Sequence, residues 1–150
     1  MTAIASSSVR TVHASAARIG KSGILIRGDS GSGKSSLLLG LLHVNPPATL
    51  VADDRVALAV DGDSLMASVP ESIAGLIEVR GVGIVRLPHV SPVRIDLVVD
   101  LLPLDDCPRL PDGEAATVTI VGVVIPRICV AIGAADGALR ALAAASHLNA

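Results

Sequence analysis

Apolar positions fall in short runs separated by turn residues, and only two stretches carry leucine and alanine at helical spacing. Residues 9–17 predict a first strand, GKSG at residues 20–23 a turn, and residues 24–27 a short apolar strand. The leucines of residues 36–42 predict a buried helix, which the pair Pro46 and Pro47 stops. Residues 49–52 then predict an apolar strand that ends at Asp53 and Asp54. Residues 56–60 and 65–68, joined by the turn-like DGD of residues 61–63, read as a hairpin. A short helical turn is expected over 71–76. EVRGVGIV at residues 78–85 reads as a strand interrupted by Gly81 and Gly83. Residues 93–102 alternate and then run apolar, predicting a strand that opens into a mobile loop over 103–113, rich in Asp and Pro. Residues 118–124 predict one more strand, and residues 134–148 an alanine-rich helix with Leu139, Leu142 and Leu148 on its period. This order predicts an α/β fold, a mixed β-sheet with flanking helices, in a single domain over residues 1–150.

Composition narrows what such a domain does. Hydrophobic residues make up 51% of the 150 and charged residues 17%, enough apolar surface for a core without staples. No Phe, Tyr or Trp occurs, so no ring is available to stack on a base, and the formal net charge of -2 gives no basic excess for phosphate backbones. Nucleic acid is therefore excluded as the expected partner. The apolar runs are too short or interrupted to span a bilayer as a helix, so no membrane partner is expected. Cys107 and Cys129 lack metal-ligand spacing and need not pair, and no signal peptide is recognised, which together predict a reduced cytoplasmic protein.

The chemistry concentrates at GDSGSGKS, Gly28 to Ser35. It fits GxxxxGK[ST], with a predicted strand before it and a predicted helix after it, the context a phosphate-binding loop needs. Gly28, Gly31 and Gly33 let backbone amides turn inward around phosphate oxygens, with Asp29, Ser30 and Ser32 completing the loop, while the helix start adds unpaired amides and a positive dipole end. Lys34 reaches the β and γ phosphates and Ser35 places its hydroxyl on Mg²⁺, so ATP and Mg²⁺ are the expected ligands. Asp53 and Asp54 stand at a strand exit, where one carboxylate organises the metal and the other serves as a base. Neighbouring residues of a strand face opposite sides, so both share the site only if the strand ends there. His13, Glu78, Arg80 and Arg109, read singly, are equally compatible with surface residues.

VHASAARI around His13, GDSGSGKS, LVADDRV at residues 50–56 and EVRGVGI at residues 78–84 together resemble the catalytic domain of HPr kinase/phosphorylase, in order and spacing from His13 to about Leu110. The length resembles the short form of that family, without a separate N-terminal domain. The resemblance implies a fold related to phosphoenolpyruvate carboxykinase, a homohexamer, and a kinase that moves the γ-phosphoryl group of ATP to a serine of the phosphocarrier protein HPr. It also implies the reverse phosphorolysis by inorganic phosphate, yielding pyrophosphate.

The same resemblance assigns roles. Asp54 would accept the serine proton and return it in the reverse direction, with Asp53 supporting the metal, and Ser35 and Glu78 would hold Mg²⁺. His13 would lie beside the transferred phosphoryl group, Lys34 would neutralise it, and Arg109, in the segment PRLP, would match the mobile-loop arginine. Within the signature segment of residues 77–86, Arg80 would contact phosphate or brace Glu78. Beyond Leu110 the chain reads VVIPRICVAIGAADG where longer members carry a Pro-Gly-Arg-Asn type motif associated with dephosphorylation. Two other readings stand beside the protein kinase: a small-molecule kinase or plain NTPase, and a regulatory module that binds nucleotide or phosphocarrier with little catalysis.

Overall fold

A computed structural model describes residues 9–111 and 113–148. The eleven strands among these residues are β1 (Arg10–Val12), β2 (Ala14–Ile19), β3 (Ser22–Arg27), β4 (Thr49–Ala52), β5 (Val56–Asp61), β6 (Ser64–Ser68), β7 (Leu76–Val79), β8 (Gly83–Arg86), β9 (Val93–Leu102), β10 (Thr117–Ile120) and β11 (Val123–Ala131). The helices are α1 (Lys34–Leu42) and α2 (Gly137–Leu148). Nine strands form one mixed sheet in which β6, β9, β3, β2 and β4 lie side by side. The ten-residue β9 is its spine, parallel to β3 along one side, and on the other antiparallel to β6 at its start and parallel to β11 at its end. β4 touches β6 and β2 touches β5 although neither pair are sheet neighbours, so the sheet curls over.

The curl creates two cores. Ile24, Ile26, Leu97 and Val99 on one face pack against Leu38 and Leu41 of α1 and Ala141 and Ala145 of α2. Leu25, Val98, Ala16 and Val51 on the other face pack against Leu58 and Leu65 of the β5–β6 hairpin. Strand pairing with β3 shifts by one residue at Asp96, which is why Ile95 and Leu97 serve opposite cores despite their even spacing. Glycine is required opposite this bulge: a Cβ on Gly23 would sit 2.0 Å from the Arg94 carbonyl oxygen.

Three expectations change. The strand expected over 9–17 is two strands broken at His13, because β1 leaves the main run to pair with β5 while β2 pairs with β3 and β4. The strand expected over 118–124 is split by a turn at Val121 and Gly122, both at positive φ, and β11 continues to Ala131. The glycine-interrupted EVRGVGIV is the β7–β8 hairpin. In α2 the buried residues are Gly137, Ala141 and Ala145, while Leu139 and Leu148 are exposed. Small residues face inward because α2 lies close on α1: a Cβ on Gly40 would stand 2.8 Å from that of Ala138. Within the expected loop, Leu104–Asp106 and Gly113–Ala116 form short 3-10 turns, and Glu71–Ile73 forms another.

Candidate active site

The phosphate-loop sequence sits between β3 and α1 as its pattern requires. Gly31 and Gly33 adopt φ of 82° and 104°, conformations that a side chain would strain, and Gly33 caps α1 without any side-chain hydrogen bond. The first intrahelical bond runs from the Leu37 amide to the Gly33 carbonyl at 2.9 Å, so the amides ahead of it face the loop. Gly28 is needed for close approach, since a Cβ there would lie 2.4 Å from Ser32 Oγ. That hydroxyl is buried and has no hydrogen-bond partner among the described residues. The Lys34 ammonium, itself buried, donates to the carbonyls of Gly28 at 2.9 Å and Asp29 at 3.1 Å, which holds it over the loop. Although the Ser32 amide is taken up by the Asp29 carbonyl at 2.9 Å, a glycine-turned loop at a helix start, an orphaned hydroxyl and a fixed ammonium suit a polyphosphate anion.

Asp53 ties the loop to the sheet. Its Oδ1 accepts hydrogen bonds from Ser35 Oγ at 2.8 Å and Ser15 Oγ at 2.9 Å, and its Oδ2 faces the Glu78 amide at 3.4 Å. β4 ends at Ala52, so the two acidic residues escape strand alternation: Asp53 turns inward and is buried, whereas Asp54, at φ 71°, turns outward. Asp tolerates this left-handed conformation better than most residues. Ser15 Oγ accepts the Asp54 amide at 3.1 Å, fixing the turn. The Asp54 carboxylate then meets His13 Nε2 at 2.7 Å, with the His13 and Asp54 side chains 53% and 64% exposed.

Ser35 and Asp53 supply one hydroxyl and one carboxylate oxygen at the loop. No group of three or more His, Cys, Asp or Glu side chains that could hold a metal gathers among the described residues. This sparse oxygen set fits Mg²⁺, which keeps waters and shares substrate phosphates instead of entering an all-protein cage.

His13, Ser35, Lys34, Asp53 and Asp54 are thus brought together. Glu78 joins through its backbone, and its carboxylate is exposed. Arg80 occupies the exposed β7–β8 turn. Arg109 lies apart: it makes no hydrogen bond or ion pair among the described residues and lines a cavity beside β11 and α2. The sequence reading missed Ser15, whose signal is its place two residues after His13 in the same apolar run. It also missed a charge cluster that spans the three adjacent strands β3, β9 and β11. Asp100 receives Arg27 Nε at 2.8 Å and Arg27 Nη2 at 2.9 Å, and Arg127 Nε closes on its other side. Burial alone would raise the Asp100 pKa, but hydrogen bonds from the two guanidiniums outweigh it and hold the carboxyl below its ordinary 3.8. Arg127 is raised in turn, chiefly by its hydrogen bond to Asp100.

The family described as the HPr Serine kinase C-terminal domain matches residues 5–146. The HPr kinase/phosphorylase of Limosilactobacillus reuteri (strain DSM 20016) is 34% identical over 134 residues, covering 82% of this chain and 41% of that protein. That of Geobacillus thermodenitrificans is 44% identical over 90 residues, covering 53% of this chain and 28% of its own. This chain therefore spans well under half the length of these curated relatives. The solved structure of the Hpr(Ser) kinase/phosphatase from Coxiella burnetii matches at a TM-score of 0.77 with 28% identity, over 93% of this chain and 97% of that one. No helix among the described residues is long and apolar enough to cross a membrane. With its phosphate loop and paired aspartates in place and the family match running nearly end to end, this chain belongs to the HPr serine kinase C-terminal domain family.

Proposed function

We propose that this domain is an ATP- and Mg²⁺-dependent protein serine kinase that phosphorylates an HPr-like phosphocarrier in the cytoplasm, assembled as a homohexamer. The observation that carries the reading is the divergent pair Asp53 and Asp54: one carboxylate is buried against the loop serine, and its neighbour is exposed and held by His13. Ser35 and Asp53 would hold the metal, which when bound neutralises phosphate charge. Asp54 Oδ1 is engaged by His13, so Oδ2 is the oxygen that takes the proton from the acceptor hydroxyl as the new phosphate ester bond forms. Lys34 balances charge on the migrating phosphoryl group, and Arg109 reaches it only when its loop moves from the place it occupies beside β11. Positioning and electrostatics supply most of the catalysis in such transfers. Run backwards, with inorganic phosphate as acceptor, the same proton returns from Asp54 to the serine oxygen.

The exposure of Asp54 favours a macromolecular acceptor over a small molecule, because the base stands at the surface and not inside a closed pocket. The test is incubation of the purified chain with Mg²⁺, labelled ATP and the HPr-like proteins of its source, with the modified residue located by mass spectrometry. Phosphoserine on the carrier, lost in Lys34→Ala, supports the kinase. ATP turnover that is indifferent to the carrier replaces it with an NTPase, and binding without either activity replaces it with a regulatory module.

A further inference from the structure

The cavity beside β11 and α2 has a volume of about 570 Å³, and no residue of the phosphate loop lines it. Two of its lining residues are Cys107 and Cys129, both free thiols and both half-buried. They come from different elements. Cys107 follows the 3-10 turn Leu104–Asp106, whose closing bond, from the Cys107 amide to the Leu104 carbonyl at 3.1 Å, folds the chain back over the end of β9. There its thiol reaches the Leu102 carbonyl at 3.8 Å. Cys129 lies on β11 opposite Asp100 of β9, and Ala131 lies opposite Leu102, so the turn brings the loop thiol down beside the β11 thiol.

We propose that Cys107 and Cys129 form a redox modification site whose intramolecular disulfide locks the loop of residues 103–111, and Arg109 with it, onto β11. The oxidant is a small-molecule disulfide such as oxidised glutathione. The Cys107 thiolate attacks one of its sulfurs, forming a mixed disulfide and releasing one glutathione thiol. The Cys129 thiolate then attacks Cys107 sulfur, forming the protein disulfide and releasing the second glutathione. Two protein thiols lose two protons and two electrons, and the oxidant takes them up as two thiols. The order follows from placement, since Cys107 is on a surface loop and Cys129 on a strand. Burial pushes the Cys129 thiol up, which makes it the slower first attacker. Arg109 stands two residues from the tether and lines the same cavity, so the bond confines it there.

The experiment treats the purified chain with oxidised glutathione and reads intact mass, a non-reducing peptide map, and the rate of tryptic cleavage after Arg109. The expected result is loss of two hydrogens, a Cys107–Cys129 linked peptide, and cleavage slowed about fivefold or more, since cutting tracks opening of the loop. A thiol reductant restores the rate, and Cys107→Ser and Cys129→Ser each abolish the change. Separate glutathione adducts, cross-links only between chains, or an unchanged cleavage rate in the linked protein overturn the proposal. None of these readouts requires kinase activity, so the site and the proposed function stand or fall independently.

Discussion

Ser35, the second residue of α1, donates through 2.8 Å to Oδ1 of Asp53, the residue that follows β4. This bond joins the phosphate loop to the sheet edge across 18 positions of sequence. Because Asp53 is buried and also receives Ser15 and the Glu78 amide, the loop, β2, β4 and β7 converge on one carboxylate. Four variants interrogate that arrangement and the charge cluster beside it.

Asp53→Asn keeps one acceptor oxygen for the two serines but turns an amide NH₂ toward the Glu78 amide, donor against donor. Removing the charge also weakens the oxygen set for Mg²⁺. The expected outcome is Mg²⁺-dependent ATP affinity reduced about tenfold or more, measured by titration at several Mg²⁺ concentrations. Affinity and Mg²⁺ dependence equal to the parent would remove Asp53 from the metal site.

Asp54→Asn leaves the fold and the phosphate loop intact, since the side chain is 64% exposed and among the described residues bonds only His13. Phosphoryl transfer to the carrier should fall about 10²- to 10⁴-fold, while nucleotide binding stays as it was. Transfer at the parental rate would show that another group takes the serine proton.

Ser15→Ala removes a hydroxyl that is 0% exposed and serves both Asp53 and the Asp54 amide. The part-buried Asp54 amide loses its acceptor and the buried Asp53 carboxylate loses a donor, a cost of about 1–3 kcal/mol, and the left-handed turn at Asp54 loses its brace. Urea unfolding should show the stability loss, and carrier phosphorylation should drop more than ATP affinity. Equal losses in both would mean that Ser15 supports only the fold.

Asp100→Asn tests the buried charge cluster through pH. The Asp100 carboxyl is held below its ordinary value in the folded state, so its contribution is complete above the unfolded pKa near 3.8 and fades as pH falls through the folded value. Arg27 is 35% exposed, which places the loss at neutral pH at about 2 kcal/mol, the lower part of the range for such hydrogen bonds. The stability gap between parent and variant should hold from pH 8 to about pH 5 and narrow below about pH 4. Urea melts at pH 7, 5 and 3 measure it, and a gap that is undiminished at pH 3 would assign the effect to shape and not to charge.

Much of the site was legible because its signals are local. GDSGSGKS states its own requirements within eight residues: glycines where φ turns positive, a lysine at the helix start, a serine one step in. The acidic pair was legible too, since an apolar run that ends in two aspartates marks a strand exit. The helix of α2 was legible as well, but leucine spacing reports a helix without reporting which face an adjacent helix can approach. Gly40 and Ala138 settle that, and they put alanines inside.

By itself, then, the sequence determined the strand–loop–helix, the mixed α/β class and the residue types fit for phosphate and metal, since turn chemistry and apolar periodicity act over a few neighbouring residues. Tertiary structure alone decided that His13 breaks the first strand and meets Asp54, that Ser15 bridges the two aspartates, that Arg27 and Arg127 close on Asp100, and that Cys107 and Cys129 line one cavity. Each of these pairings depends on the register between strands distant in sequence. A shift of one residue, such as the bulge at Asp96, changes which side chains share a face, and no local pattern records where that shift falls.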